Sequence, residues 1–266
     1  MQKINLILFA NQILKDEKTP KAHVKIQEKP CILYLLESCL GFLEEYKIQL
    51  FIIVPQLSLE FIKDMIDEWC VFVEKQNHFD IYFLPTLRVD YDICLLSNLL
   101  KLYLKQFWTD GLCMFLSLNF PCVQYSTLKS ILQNYNQYPL CLIKKIDKSM
   151  VLSNTVCMKK HWKNNENHFA FTNQRTNYEY MFISLVDFTT FELLFGIKYP
   201  IGGPFYSCFI SNVFTLPSYT VFPEGHELFT KVHQLQIENK FLRKEIIRLS
   251  RYFQTIQDQE NTWEIL

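Results

Sequence analysis

The sequence predicts an α/β fold with a mostly parallel sheet, followed by a long C-terminal helix. Short apolar runs alternate with helical patterns through the first half of the chain. That alternation weakens from residue 140, and a heptad pattern free of Pro and Gly begins after Gly225. Strand–helix alternation belongs to parallel strands whose connections cover both faces of a sheet. The expected division is a globular part over residues 1–225 and a helical arm over residues 226–266.

Residues 4–10 form a short apolar run with β-branched members, ended by Asn11-Gln12, and read as the first buried strand. A charged loop follows to Lys29. Pro30 suits the opening of a helix with Leu33, Leu36, Leu40 and Leu43 on its inner face. Residues 50–54 give a second buried strand, closed by Pro55. Ser58 suits the cap of a helix with Phe61, Met65 and Trp69 inward. Residues 80–84 read as a strand, 93–107 as a helix, 112–116 as a strand and 126–132 as a helix. Right-handed crossovers would set the loops after Ala10 and Leu116 at one end of the sheet, where open α/β sheets bind ligands. Residues 140–145, 181–186 and 219–222 read as strands, and the polar stretch 159–177 as an exposed excursion.

Hydrophobic residues make up 49% of the chain and charged residues 20%, which supports a large core and excludes disorder. Lys+Arg and Asp+Glu both number 27, without the basic excess of a strong nucleic-acid binder. The nine cysteines form no C-x-x-C pair and read as buried or free thiols in a reducing compartment, the cytoplasm or the nucleus. The apolar stretch near residues 112–123 is broken by Asn119 and Pro121, so no transmembrane span is expected.

In the arm, Leu228, Val232, Leu235, Asn239, Leu242, Ile246, Leu249, Phe253 and Ile256 recur at alternating spacings of four and three. This is a heptad seam over about four repeats. Asn239 takes an a position, where one Asn can fix register and favour a two-stranded parallel pair. Glu238 and Arg243 take g and e positions and can pair across such a dimer. Two readings stand: self-association, or packing of the helix on its own domain, which the off-seam Phe229 and Phe241 favour.

Three segments in order resemble the nucleotidyltransferases that activate sugar phosphates, the family of bacterial N-acetylglucosamine-1-phosphate uridylyltransferase. The noncatalytic gamma and epsilon subunits of translation initiation factor 2B carry a related domain. The first segment is LILFANQILKDEKTPKAHVKIQEKPCILYLLE, in which Pro20-Lys21 and Lys29-Pro30 match the family pattern. Its loop departs from that pattern: Asn11 and Ile13 stand where glycines are expected, and Lys15 stands near the family arginine. The second is MFLSLNFPCVQYSTLKSIL, with Asn119 in the place of a metal-binding aspartate. The third is VFPEGHELFTKVHQLQIENKFL, in which Val232-His233 stands at a Val-Asn turn that also binds metal. Before it, GPFYSCFISNVF resembles a helix that carries acidic residues in the family and none here.

The resemblance implies a three-layer α/β sandwich. It also implies chemistry in which the α-phosphate of a nucleoside triphosphate is attacked and pyrophosphate leaves, with Mg²⁺ and basic side chains neutralising charge. A glycine loop lets backbone N–H groups reach phosphate oxygens that side chains would obstruct. A neutral Asn119 is a poorer Mg²⁺ ligand than a carboxylate, and His233 suits Zn²⁺ better than Mg²⁺. The expected function is therefore a catalytically degenerate relative, a binding or regulatory subunit with no cofactor.

On that reading Asn11, Lys15 and Lys21 are vestigial nucleotide contacts, and Asn119 and His233 are vestigial metal positions. The arm would engage protein partners or a second copy, and a nucleotide remains possible. The alternatives are a divergent active nucleotidyltransferase using Mg²⁺, with Asp90 or Asp92 as metal ligand, and a structural coiled-coil protein. Lys144-Lys145 and Lys159-Lys160 read as solvated loop charges. No G-x-S-x-G, Walker, H-E-x-x-H or EF-hand pattern occurs.

Overall fold

A computed structural model describes residues 2–14, 19–73, 79–86, 111–135, 140–145, 157–163, 166–172, 178–187, 212–216 and 231–263. Strand β1 (Gln2–Phe9) leads through a 3₁₀ turn at Lys21–His23 to the short strands β2 (Lys25–Ile26) and β3 (Lys29–Pro30). Helix α1 (Cys31–Leu40), strand β4 (Tyr46–Pro55), helix α2 (Leu59–Phe72) and strand β5 (Phe79–Thr86) follow. Next come β6 (Leu112–Ser117) and α3 (Tyr125–Gln133). Strands β7 (Leu140–Lys145), β8 (Cys157–Lys163), β9 (Glu166–Thr172), β10 (Tyr178–Asp187) and β11 (Asn212–Leu216) precede helix α4 (Lys231–Trp263).

Seven strands run in the order β11-β7-β10-β6-β1-β4-β5, with β8 and β9 joined through β10. The pairs β1–β4, β1–β6, β4–β5 and β7–β11 are parallel, whereas β10 runs antiparallel to β6 and β7. Consecutive strand residues point to opposite faces. Leu6, Ile7 and Leu8 are all fully buried, so both faces of β1 are covered. The expected α/β sandwich with a mostly parallel sheet and a long C-terminal helix is present. Two glycines are set by close packing. Gly111 enters β6 with φ +89°, and a Cβ there would meet the Lys3 carbonyl oxygen at 2.8 Å. A Cβ on Gly41 would enter the Tyr125 ring, which seats α3 against the end of α1.

Several expectations are corrected. Helix α1 starts at Cys31 and turns Ile32, Leu35, Leu36 and Cys39 inward, leaving Leu33, Leu40 and Leu43 only partly buried at its flank. Helix α2 buries Ile62, Ile66, Trp69 and Cys70, not Phe61, which is 54% exposed. Ser58 makes no side-chain cap bond because it closes a 3₁₀ turn ahead of the helix. The polar stretch 159–177 contains most of the β8–β9 hairpin, in register from Cys157↔Thr172 to Lys163↔Glu166. An antiparallel pair accommodates a polar face, so polarity alone did not mark a loop. Lys144, Lys145, Lys159 and Lys160 accordingly stand in strands.

The end of GPFYSCFISNVF forms β11, not a helix, because Asn212–Leu216 completes a parallel ladder with β7. The expected elements at 93–107 and 219–222, with Asp90, Asp92, Leu228 and Phe229, lie outside the described residues.

The first turns of α4 rest on the β2–β3 hairpin. Gln234 Nε2 donates to the Lys25 carbonyl at 2.5 Å, Ile237 is fully buried, and the Phe241 and Tyr34 rings lie 5.6 Å apart. Tyr34 in turn donates its hydroxyl to the Ile26 carbonyl at 2.8 Å. The hairpin turn holds Gln27 at φ 49° and Glu28 at φ 62°, positive values that a two-residue turn demands and that Gly or Asn usually supplies. Two non-glycine residues there cost on the order of 1 kcal/mol each.

Candidate functional site

From β1 the chain proceeds to β4 and β5 on one side and returns with β6 on the other. Parallel α/β sheets bind ligands at such a reversal, beyond the strands' carboxyl ends. Here Phe9 stands beside Ser117, so the loops that follow β1 and β6 share one mouth.

The loop after β1 turns inward. Asn11, Gln12 and Leu14 are all buried. Ile13 bridges Pro20 and the Leu14 N–H donates to the Thr19 carbonyl at 2.8 Å, which pinches the loop closed at its base. The Lys21 N–H then donates to the Gln12 carbonyl at 2.7 Å. Gln12 Nε2 reaches Ser117 Oγ at 3.0 Å, and the Asn119 N–H donates to the same hydroxyl at 3.1 Å. A glycine loop would present bare N–H groups here, whereas this one carries the buried side chains of Asn11, Gln12 and Leu14.

At the centre, Lys21 Nζ donates to Asn119 Oδ1 at 2.5 Å. Lys21 is 1% exposed and Asn119 0%, and Lys21 is among the largest fully buried side chains. An ammonium only donates, so Oδ1 must be the amide atom that faces it. Asn119 Nδ2 is left buried without a hydrogen-bond partner. Cys31 Sγ donates to the Lys21 carbonyl at 2.6 Å. Burial, then the neighbouring Cys122, push the Cys31 thiol well above its ordinary value and outweigh the opposing pull of Lys21. Cys31 is therefore a neutral donor at physiological pH and unsuited to nucleophilic work.

Of the sequence-derived residues, the fold brings Lys21 and Asn119 into direct contact and sets Asn11 at the end of β1. Lys15 lies outside the described residues. His233 does not sit in a turn: its backbone and that of Val232 belong to α4, with side chains outside the described set. Gln12, Ser117 and Cys31 were missed. Uncharged polar residues at strand ends look like turn formers in a sequence, and only the pairing of β1 with β6 sets Gln12 beside Ser117.

Mg²⁺ does not fit Asn119 as it stands. The one amide oxygen already holds an ammonium, and the free amide group is a donor, whereas Mg²⁺ takes oxygen acceptors. Among the described residues, no group of three or more His, Cys, Asp or Glu side chains could hold a metal ion. Along the arm, Leu235, Asn239, Leu242, Ile246 and Leu249 are exposed. No helix among the described residues is long and apolar enough to cross a membrane.

The architecture is found in solved nucleotidyltransferases. The structure of CMP:2-keto-3-deoxy-manno-octonic acid synthetase complexed with CTP superposes with TM-score 0.63 at 11% identity, over 91% of this chain and 100% of that one. UDP-glucose pyrophosphorylase complexed with UDP-glucose gives TM-score 0.62 at 12% identity, over 92% and 100%. The 4-diphosphocytidyl-2C-methyl-D-erythritol synthase of Anaerococcus prevotii gives 0.56 at 11%, over 91% and 99%. No family model and no curated protein matches the sequence. The chain thus has the Rossmann-like α/β fold of the nucleotidyltransferases.

Proposed function

We propose that this chain is a catalytically degenerate nucleotidyltransferase-like protein that acts as a binding or regulatory subunit. The Lys21–Asn119 contact carries the reading. The resemblance assigns Lys21 to a phosphate and Asn119 to a metal, yet the Lys21 ammonium donates to the one amide oxygen of Asn119, and both side chains are buried. A lysine ammonium in the grip of the metal position supplies positive charge without the open coordination sites that a metal offers a triphosphate. The bridge between Ile13 and Pro20 accords with the same reading, because it draws together the two ends of the loop that holds a phosphate in the resemblance. A role like that of the noncatalytic initiation factor 2B subunits, exerted through protein surfaces in the cytoplasm or nucleus, accords with it.

One observation favours the second reading, a divergent enzyme making a nucleotide-sugar. Asn119 Nδ2 is a buried donor with nothing to bond, a group that an incoming phosphate oxygen would satisfy. Pyrophosphate release separates the two. With each ribonucleoside triphosphate, a panel of sugar phosphates and Mg²⁺ or Mn²⁺, the protein should show no turnover above background. Turnover that disappears in folded Lys21→Ala overturns the proposal in favour of the enzyme.

A further inference from the structure

We propose that α4 pairs with α4 of a second copy of this chain as a parallel, two-stranded coiled coil, while its opposite face stays docked on its own domain. The inference does not depend on whether the cleft is catalytic.

The argument starts from the angular position of each residue. Successive residues advance by about 100° around a helix, so residues two apart lie about 200° apart. Ile237 is two residues from both Leu235 and Asn239 and therefore sits opposite the seam they begin. The residues that dock α4 on its own domain, Gln234, Ile237 and Phe241, fall at c, f and c when Asn239 is a. Docking and dimerisation thus use opposite sides of one helix and do not compete.

The seam side is open. Leu235 is 48% exposed, Leu242 53%, Ile246 61% and Leu249 42%. Beyond Phe241 every residue from 242 to 252 is exposed. A single helix so surrounded by water is marginal, and an apolar stripe along it is stable only when covered. Sequence chemistry commits the cover to a parallel second copy. Val232 and Ile246 occupy a positions and Leu235, Leu242 and Leu249 occupy d, the β-branched-a, leucine-d combination that favours two strands. Asn239 at a can meet its own counterpart only in a parallel, in-register pair. Glu238 at g faces Arg243 at e of the partner helix in that alignment, twice by symmetry. An antiparallel alignment of the same segment sets g against g and e against e, Glu near Glu and Arg near Arg.

The full-length chain tests this by sedimentation equilibrium and by directed cross-linking. The expected mass is twice that of one chain. The double variant Leu242→Asp with Ile246→Asp, folded by circular dichroism, should weaken the dimer about 100-fold or more, while Gln254→Asp at an exposed b position leaves it unchanged. Leu242→Cys and Leu249→Cys, introduced singly, should each give a disulfide-linked dimer beyond the wild-type background, because d residues face themselves only in a parallel pair. A monomer, a dimer indifferent to the double aspartate variant, a larger oligomer, or cross-linking at fewer than both cysteines would each overturn the proposal.

Discussion

The mouth at β1 and β6 and the far face of α4 solve opposite problems. At the mouth, Asn11, Gln12, Lys21, Ser117 and Asn119 are all buried, and hydrogen bonds link Gln12 to Ser117, Ser117 to Asn119 and Asn119 to Lys21. On α4, four large apolar side chains of the seam stand in water. Buried polar side chains stand at the strand ends where open α/β sheets receive ligands, whereas the apolar seam of α4 faces water. A scaffold can thus keep its sheet while the site on it changes, since the sheet depends on apolar packing and the site on a few polar atoms.

The comparison is sharpened most by Lys21→Ala. If the mouth is filled, this change leaves a cavity and strips Asn119 of its partner, and urea unfolding should show a loss of about 2–5 kcal/mol. A loss below about 0.5 kcal/mol, the value of an ordinary solvated surface residue, would mean that the mouth is open.

Phe241→Ala probes the other region. It removes the contact with Tyr34 and should cost about 1–2 kcal/mol. It should also release the start of α4, seen as faster amide exchange over residues 234–241, while the dimer seam on the far side remains competent. Loss of dimerisation together with docking would break the separation of the two faces.

Glu28→Gly tests the hairpin that receives the helix. Glycine adopts φ 62° without the clash that a Cβ meets, so stability should rise by about 1 kcal/mol in thermal unfolding. A fall would mean that the Glu28 side chain is itself part of the docking surface.

The smallest effect concerns His23, half-buried against Phe61 at 4.4 Å between ring centroids with Nε2 unpartnered. Burial lowers its pKa from 6.5. The unfolded chain therefore takes up a proton at a higher pH than the folded one. Stability should be full above pH ~6.5, fall as pH drops through that value, and level off below the lowered folded pKa. His23→Gln should remove this acid-side slope in denaturant titrations.

The alternation of apolar strands and helices was legible because buried parallel strands need continuous apolar runs such as Leu6-Ile7-Leu8. The inward faces of α1 and α2 were legible in part: Leu36 and Trp69 are buried as expected, whereas Leu33, Leu40 and Phe61 are not. In α1, Leu33 and Leu40 lie beside Ile32, Leu35 and Cys39, so two apolar stripes that share Leu36 compete in the sequence. Lys21 and Asn119 were legible as motif positions, but not as partners of each other, since they are 98 residues apart. The seam of α4 was plain from its long period. The docking face was legible only in the off-seam Phe241, because Gln234, Ile237 and Phe241 form a stripe of only two turns, and one member is polar.

The most direct test is a crystal of the protein soaked with Mg²⁺ and CTP or UTP. The account predicts that Lys21 Nζ stays on Asn119 Oδ1, with no ordered triphosphate in the mouth. An ordered triphosphate there, with Lys21 swung onto its phosphates and a metal ion bound beside Asn119, would contradict it.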